Sequence, residues 1–416
     1  MEPAPARRVR TAKQEGSPSM IEGRAATKRE GEGEGTRFAA LDGWRGVCAI
    51  LVVCFHAPVS GASEANGVIR SAFLFVDFFF VLSGFVITHA FFEPLRERRE
   101  YGRFFLARLF RVYPLHLFML AVYVAFECAM LFAKGPGDAF RGGTSIAGLV
   151  DNLLMVQSLG FMDSLSWNYP SWSISAELVA YAAFAAVVVS MPRLILPFCG
   201  LAVVAGLPAI AILNGNMDAS AQLGWLRCLA GFGLGVILRR AVWREGSEVE
   251  ARRHPKSWSV AEAAAVILVA VFVARLGGTV LSVAAPLVFG LALYVFAHEG
   301  GILSRALKTP PLAFLGVISY SIYMTHAFVI DRFHNAASVV GKVTGWNPFV
   351  TGSDGRELIG PQGWQGSLAL AAILAATILV SAVTYRLVEK PGMALGRRLQ
   401  ARGKAAAAAS AKPAGA

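Results

Sequence analysis

The feature that most constrains this chain is the recurrence of apolar stretches of about 20 residues, the length needed to cross ~30 Å of hydrocarbon. Ten can be marked, near 44–62, 69–92, 110–133, 173–191, 193–213, 222–240, 259–275, 278–297, 311–333 and 365–388. Composition agrees: 55% of the residues are hydrophobic and only 16% charged, far from the makeup of a soluble domain. The expectation is an all-α, polytopic integral membrane helical bundle of about ten transmembrane helices. The stretch 146–160 (IAGLVDNLLMVQSLG) is too short and polar for an eleventh span and suits a re-entrant or interfacial segment.

Lys and Arg placement orients the bundle, because short basic loops stay in the cytoplasm. The basic stretches 96–111, 239–256 and 386–404 fall on one side of a ten-span arrangement. Both termini are therefore expected to be cytoplasmic, in a multi-pass protein of the inner (plasma) membrane. The net charge of +12 is then largely a topology signal. Its basic residues are spread over separate short loops, so no nucleic-acid partner is expected. Residues 1–36 mix both charges with Gly, Ala and Pro and hold no apolar core of a signal peptide, which reads as a disordered cytoplasmic tail. Residues 37–391 form the transmembrane domain, and 392–416, ending in KAAAAASAKPAGA, read as a low-complexity, disordered cytoplasmic tail. The five cysteines lie in apolar surroundings without metal-ligand spacing, so they are assigned to core packing and no metal is expected.

An ionisable group in mid-span costs roughly 2.5–3.5 kcal/mol on insertion scales, so each one needs a reason. In LDGWRGVCAILVVCFHA (Leu41–Ala57), Arg45 and His56 share a helix face, and Asp42 lies near the same line. At ~1.5 Å per residue, His56 is about 16 Å deeper than Arg45, near the bilayer midplane. The bland alternative is a helix-start Asp, a snorkelling Arg and a His satisfied by a neighbour. In the second span, FLFVDFFFVLSGFVITHAFF, Asp77 shares a face with Gly84 and Thr88, while Ser83 and Gly84 also suit close helix packing. Arg108 and Arg111, three apart, point forked donors at one place, as an anionic or phosphate-bearing ligand requires, although positive-inside flanking explains them too.

On the opposite side, SWNYPSWSISAELVAYAAF places Glu177 in the first turns of a helix, where the dipole alone would favour it, with Tyr181 four positions on. Trp167, Tyr169 and Trp172 just before it suit an interfacial belt or a sugar-stacking platform. The ninth span sets Ser319, Tyr323 and His326 on one face, with His326 hydrogen-bonded within it.

The ordered series RFAALDGWRGVCAILVVCFHA, FVDFFFVLSGFVIT, RFFLARLFRVYPLH, YPSWSISAELVAY, LGVISYSIYMTH and YRLVEKP resembles the membrane-bound acyltransferase 3 family over residues 37–391. The resemblance implies a ten-helix enzyme that takes an acyl group, usually acetyl, from cytoplasmic acyl-CoA and delivers it to a hydroxyl of an extracytoplasmic or lipid-linked acceptor, mostly carbohydrate. Its arginine and histidine motif falls on Arg45 and His56, its arginine pair on Arg108 and Arg111, and its second-span carboxylate on Asp77. Its serine and glycine segment falls on Ser83 and Gly84, and its Trp, Ser and Glu motif on Trp172, Ser173 and Glu177. Trp44 stands where the family often has Leu, and Ala176 where many members carry an acidic residue, which leaves Glu177 as the acidic candidate there.

Acyl transfer from a thioester needs a base, positioned substrates and donors for the developing oxyanion. His56 is the expected base, because an imidazole titrates near neutrality, with Asp77 or Glu177 orienting it. Arg45, Arg108 and Arg111 would hold the CoA phosphates. Ser83, Trp172, Tyr323 and His326 would meet substrate, and Trp167, Tyr169 and Arg227 would face the acceptor. No resident cofactor is expected: acyl-CoA is a substrate, and the partners are a carbohydrate or glycolipid acceptor and membrane lipid. Direct attack and a covalent acyl intermediate both remain open. The rival reading is a proton-coupled transporter of a lipid-linked sugar or small metabolite, which predicts inverted repeats that the motifs do not show.

Overall fold

The computed structural model describes residues 38–61, 65–97, 100–135, 139–353 and 355–410. The tail expected over residues 1–36 lies outside the described residues. In hydrocarbon each backbone N–H and C=O must be satisfied within the protein, which confines spanning segments to helices or closed barrels; this chain uses helices. The long ones are α1 (Ala39–His56), α2 (Phe75–Arg96), α3 (Tyr101–Lys134), then a short α4 (Ile146–Leu154), α5 (Trp172–Ser190), α6 (Ile195–Asn214) and α7 (Gly224–Ile237). They continue with α8 (Pro255–Leu276), α9 (Ala285–Ala297), α10 (Pro310–Val317), α11 (Ser319–Thr344), α12 (Gly363–Thr384) and α13 (Lys390–Ser410).

Among the described residues, eight helical stretches are long and apolar enough to cross a membrane, or nine when α10 and α11, bent by 70° at Ile318, count as one broken span. The sixth expected span differs. It is a 14-residue α-helix continued by a π turn, Leu238–Val242, and packs against α2, α5, α6 and α9. Its length suits a helix enclosed by protein better than one facing lipid. Gly84 of α2 and Gly235 of α7 make that packing possible: a Cβ on Gly84 would lie 2.0 Å from the Phe232 carbonyl oxygen, and one on Gly235 would lie 2.1 Å from that of Val81. Small residues let two backbones touch.

Three boundaries differ from expectation. Helix α1 starts and stops earlier than the apolar run, so His56 is its last residue rather than its midpoint. The backbone turns extended at Ala57 because the next segment is stapled to a hairpin. Strands β1 (Phe349–Thr351) and β2 (Glu357–Ile359) pair antiparallel, and Ile359 also bridges Val59 in parallel, its N–H donating to Pro58 O at 2.7 Å while its carbonyl accepts from Ser60 N at 3.1 Å. Helix α3 runs unbroken through Arg103, Arg108 and Arg111, so these arginines stand on the spanning helix itself. From residue 392, where a disordered tail was expected, the chain continues as helix to Ser410, in keeping with the high helix propensity of alanine. The short segment at 146–160 forms α4 and then turns at Met155, in the left-handed region at φ 57°.

Candidate active site

His56 closes α1 facing α11. Its Nδ1 lies 3.0 Å from the Val52 carbonyl oxygen, one turn back, and 3.2 Å from Nε2 of His326. A carbonyl oxygen only accepts, so neutral His56 carries its proton on Nδ1 and keeps a lone pair on Nε2. The same N–H serves His326 Nε2 as acceptor, which places the His326 proton on its own Nδ1; that buried atom has no partner among the described residues. His326 thus meets His56 across helices, besides the backbone contacts with Ile322 and Tyr323 one turn back on its own helix. Tyr169 flanks the pair, its ring centroid 5.1 Å from His56 and 6.3 Å from His326, and Tyr323 lies 5.8 Å from His326.

The arginines gather about 16 Å back along α1, eleven residues at ~1.5 Å each. Arg45 lies 3.5 Å from Asp42 one turn before it, and its charge interacts with Arg111, Glu177 and Glu389. Arg108 lies over the Phe91 ring at 5.0 Å, adjoins Tyr181, and keeps a buried Nε without a partner among the described residues. Arg111 differs from both. It is ion-paired with the buried Glu389, whose other oxygen accepts from Ser321 Oγ at 2.6 Å, and it packs over Tyr320 at 5.4 Å. Much of the Arg111 charge is therefore spent within the protein. Glu389, an acid inside the basic stretch after the last span, is the partner that sequence reading missed.

Between the two ends runs a file of polar side chains on α5. Ser173, Glu177 and Tyr181 are spaced by four, which aligns them along one helix face. Ser173 adjoins Tyr323 at the histidine end. Tyr181 donates to Glu177 Oε2 at 3.0 Å and lies 3.0 Å from Ser83 Oγ at the arginine end. No hydrogen bond joins Glu177 to His56, so of the expected catalytic group these two are parts of one path rather than direct partners.

Asp77 lies outside that path. Both of its oxygens accept from Arg227, Nε at 3.0 Å and Nη2 at 2.8 Å, and Arg227 also donates to Phe73 O at 3.1 Å. The two side chains are 0% and 1% exposed. Both Asp77 oxygens are thus engaged by Arg227 rather than by His56, and in a low-dielectric interior each of the two is the partner of the other. Trp172 covers the pair, its ring 5.4 Å from the guanidinium and against Gly224. Trp167 is likewise buried, donating Nε1–H to Ser145 O at 2.9 Å. Among the described residues no group of three or more His, Cys, Asp or Glu could hold a metal ion.

A helical membrane bundle that carries guanidinium groups at one end of an internal polar file and an imidazole pair at the other is laid out for moving a proton or a group between two sides of its core. The chain belongs to the acyltransferase 3 family: the model of that acyltransferase domain matches residues 38–386. It is therefore an enzyme, an acyltransferase moving groups other than aminoacyl groups, rather than the transporter weighed as the rival. Among similar proteins is acyltransferase MdmB of Streptomyces mycarofaciens, 27% identical over 78% of this chain and 81% of that protein. Protein 2 in the picA locus of Rhizobium radiobacter is 36% identical over 36% of this chain and 81% of its own length. Peptidoglycan O-acetyltransferase OatA of Listeria monocytogenes serovar 1/2a is 23% identical over 85% of this chain, which covers 55% of that relative. No solved structure matches the chain at the same level of significance.

Proposed function

We propose that this protein takes an acyl group, acetyl foremost, from acyl-CoA at the cytoplasmic face of the plasma membrane and delivers it to a hydroxyl of an extracytoplasmic or lipid-linked carbohydrate, with His56 as the base. The observation that carries the reading is the polar file itself. The guanidinium groups of Arg45 and of Arg108, whose buried Nε has no partner among the described residues, stand about one pantetheine length from an imidazole whose hydrogen bonding leaves Nε2 as an acceptor. The carbohydrate acceptor draws support from OatA, whose name records O-acetylation of peptidoglycan.

In this scheme Arg45 and Arg108 bind the CoA phosphates, and Arg111 shapes the same mouth while held by Glu389. His56 Nε2 removes the acceptor hydroxyl proton as its oxygen attacks the thioester carbonyl. The imidazolium so formed keeps its Nδ1–H on Val52 O and His326 Nε2, two acceptors that favour the charged form. Tyr169 and Tyr323, flanking the pair, carry the O–H donors for the tetrahedral oxyanion. Collapse breaks the C–S bond, and the proton on Nε2 leaves with the CoA thiolate.

The test is to compare surface glycans and lipids by mass spectrometry in cells lacking the protein and in cells restored with wild type or with His56→Ala. The expected result is an acylated species present only with wild type, and a loss of about 10²–10⁴ in transfer rate for purified, folded His56→Ala. Wild-type turnover in that variant would overturn the role of His56.

A further inference from the structure

Tyr169 reaches the histidine pair from a segment outside the spanning helices. The strap Trp167–Tyr169 joins the turn after α4 to α5, and connecting segments are ordinarily the more mobile parts of a fold. This one is fastened on two sides. Toward α4, Trp167 donates its backbone N–H to Gly143 O at 2.6 Å and its indole Nε1–H to Ser145 O at 2.9 Å. The adjoining Ser166 Oγ accepts from Asn152 Nδ2 at 3.0 Å, and the Asn152 carbonyl lies 2.8 Å from His116 Nε2 on α3. Toward α11, Asn168 donates Nδ2–H to Met324 O at 2.9 Å, a bond between residues 156 apart in sequence.

The fastening holds an unfavourable backbone. Trp167 has φ 54°, in the left-handed region that a bulky side chain rarely enters. Such conformations persist where their surroundings over-determine them, commonly at functional sites. Asn168 itself is fully buried, and its Oδ1 has no partner among the described residues. Burying an amide with one end unsatisfied is unfavourable, so fold stability alone is a poor reason for an asparagine here. Its place in the fold supplies a better one. Met324 lies between Tyr323 and His326, and a helix carbonyl has a second lone pair to give, so the bond sets the strap against the turn of α11 that carries both site residues. The Tyr169 ring then stands 5.1 Å from that of His56 and 6.3 Å from that of His326.

From this geometry we infer that Asn168 is a positioning residue of the transfer reaction: its bond to Met324 O sets the Trp167–Tyr169 strap and so holds Tyr169 beside the imidazole pair. Asn168 acts through Tyr169 and touches no substrate. The inference rests on the role of Tyr169 proposed above.

The test combines transfer in cells with a spectroscopic signal. Cells lacking the protein are restored with wild type, Asn168→Ala, Tyr169→Phe or both, at matched protein level, and the initial rate at which the acylated species returns is followed by mass spectrometry. Asn168→Ala is expected to lower that rate about 10- to 100-fold, the order of loss that a misplaced reacting group produces, while acetyl-CoA affinity of the purified protein stays at the wild-type value. The double variant should lose little more than Tyr169→Phe alone, because both substitutions act through one hydroxyl. In the purified full chain carrying fluorotyrosine in place of Tyr169, the fluorine resonance should shift or broaden on Asn168→Ala. Asn168→Leu, close in shape and apolar, should behave alike and replaces the alanine variant if that one fails to fold. A wild-type rate in either Asn168 variant, losses that multiply in the double variant, or an unchanged fluorine resonance would overturn the inference. A wild-type rate in Tyr169→Phe would instead defeat the oxyanion role proposed above, and the fluorine signal would still decide whether Asn168 sets the ring.

Discussion

Two sets of arginine and carboxylate lie within this bundle, and they are built in opposite ways. Asp77 and Arg227 are sealed: the carboxylate takes two donors of one guanidinium, two more go to the Phe73 and Ala219 carbonyls, and Trp172 closes the top. Arg45, Arg108 and Glu177 form a looser group, with an Arg108 Nε unpartnered among the described residues and a glutamate held by the Tyr181 and Ser83 hydroxyls. An ion pair with its valences filled has nothing left to offer a substrate. Under the proposed function, saturation of hydrogen-bonding capacity, more than presence in the membrane, separates the structural charges from the working ones.

The strongest way to break this comparison is to empty the sealed pair. Asp77→Ala leaves Arg227 buried and uncompensated, and should lower stability by about 3–5 kcal/mol in detergent-solubilised protein. Asp77→Leu combined with Arg227→Met should recover most of that loss and retain acyl transfer, since apolar replacements of a buried pair are often tolerated. A double variant that is stable but inactive would move the pair into the chemistry.

A smaller effect sharpens the contrast within the arginine group. Arg108→Ala should weaken acyl-CoA binding about 10- to 100-fold, in line with ~1.5–3 kcal/mol for a hydrogen bond to a charged group. Arg111→Ala should act mainly on stability, because it strands the buried Glu389. Unchanged acyl-CoA affinity in Arg108→Ala would return that residue to a topology signal. The least perturbing test is Ser83→Ala. It removes the hydroxyl beside Tyr181 and should cost about 1 kcal/mol of stability, read by thermal unfolding, while acyl-CoA affinity stays at the wild-type value.

Much of this was legible in the sequence, and the reason is periodicity. Apolar runs of membrane length located the helices, and the eleven-residue spacing of Arg45 and His56 put both on one face whatever surrounds them. Helix ends were less legible, because hydropathy does not sense where a segment pairs with a distant strand. His56 was expected in mid-span, yet α1 stops there to let Val59 meet Ile359. Asp77 and Trp172 were expected at the reaction. What fixed their surroundings was Arg227, 150 residues along the chain from Asp77.

The sequence by itself determined that the chain is an α-helical membrane protein, that polar residues recur on particular helix faces, and that its ordered motifs are those of the acyltransferase family. These properties depend on composition, local period and order, which survive without knowledge of contacts. Tertiary structure alone decided which carboxylate meets which guanidinium, that His56 faces His326 through Nδ1, and which arginines keep donors free. Those outcomes depend on pairings between residues far apart in sequence, and in a low-dielectric interior the pairing determines whether a charge is sealed or available.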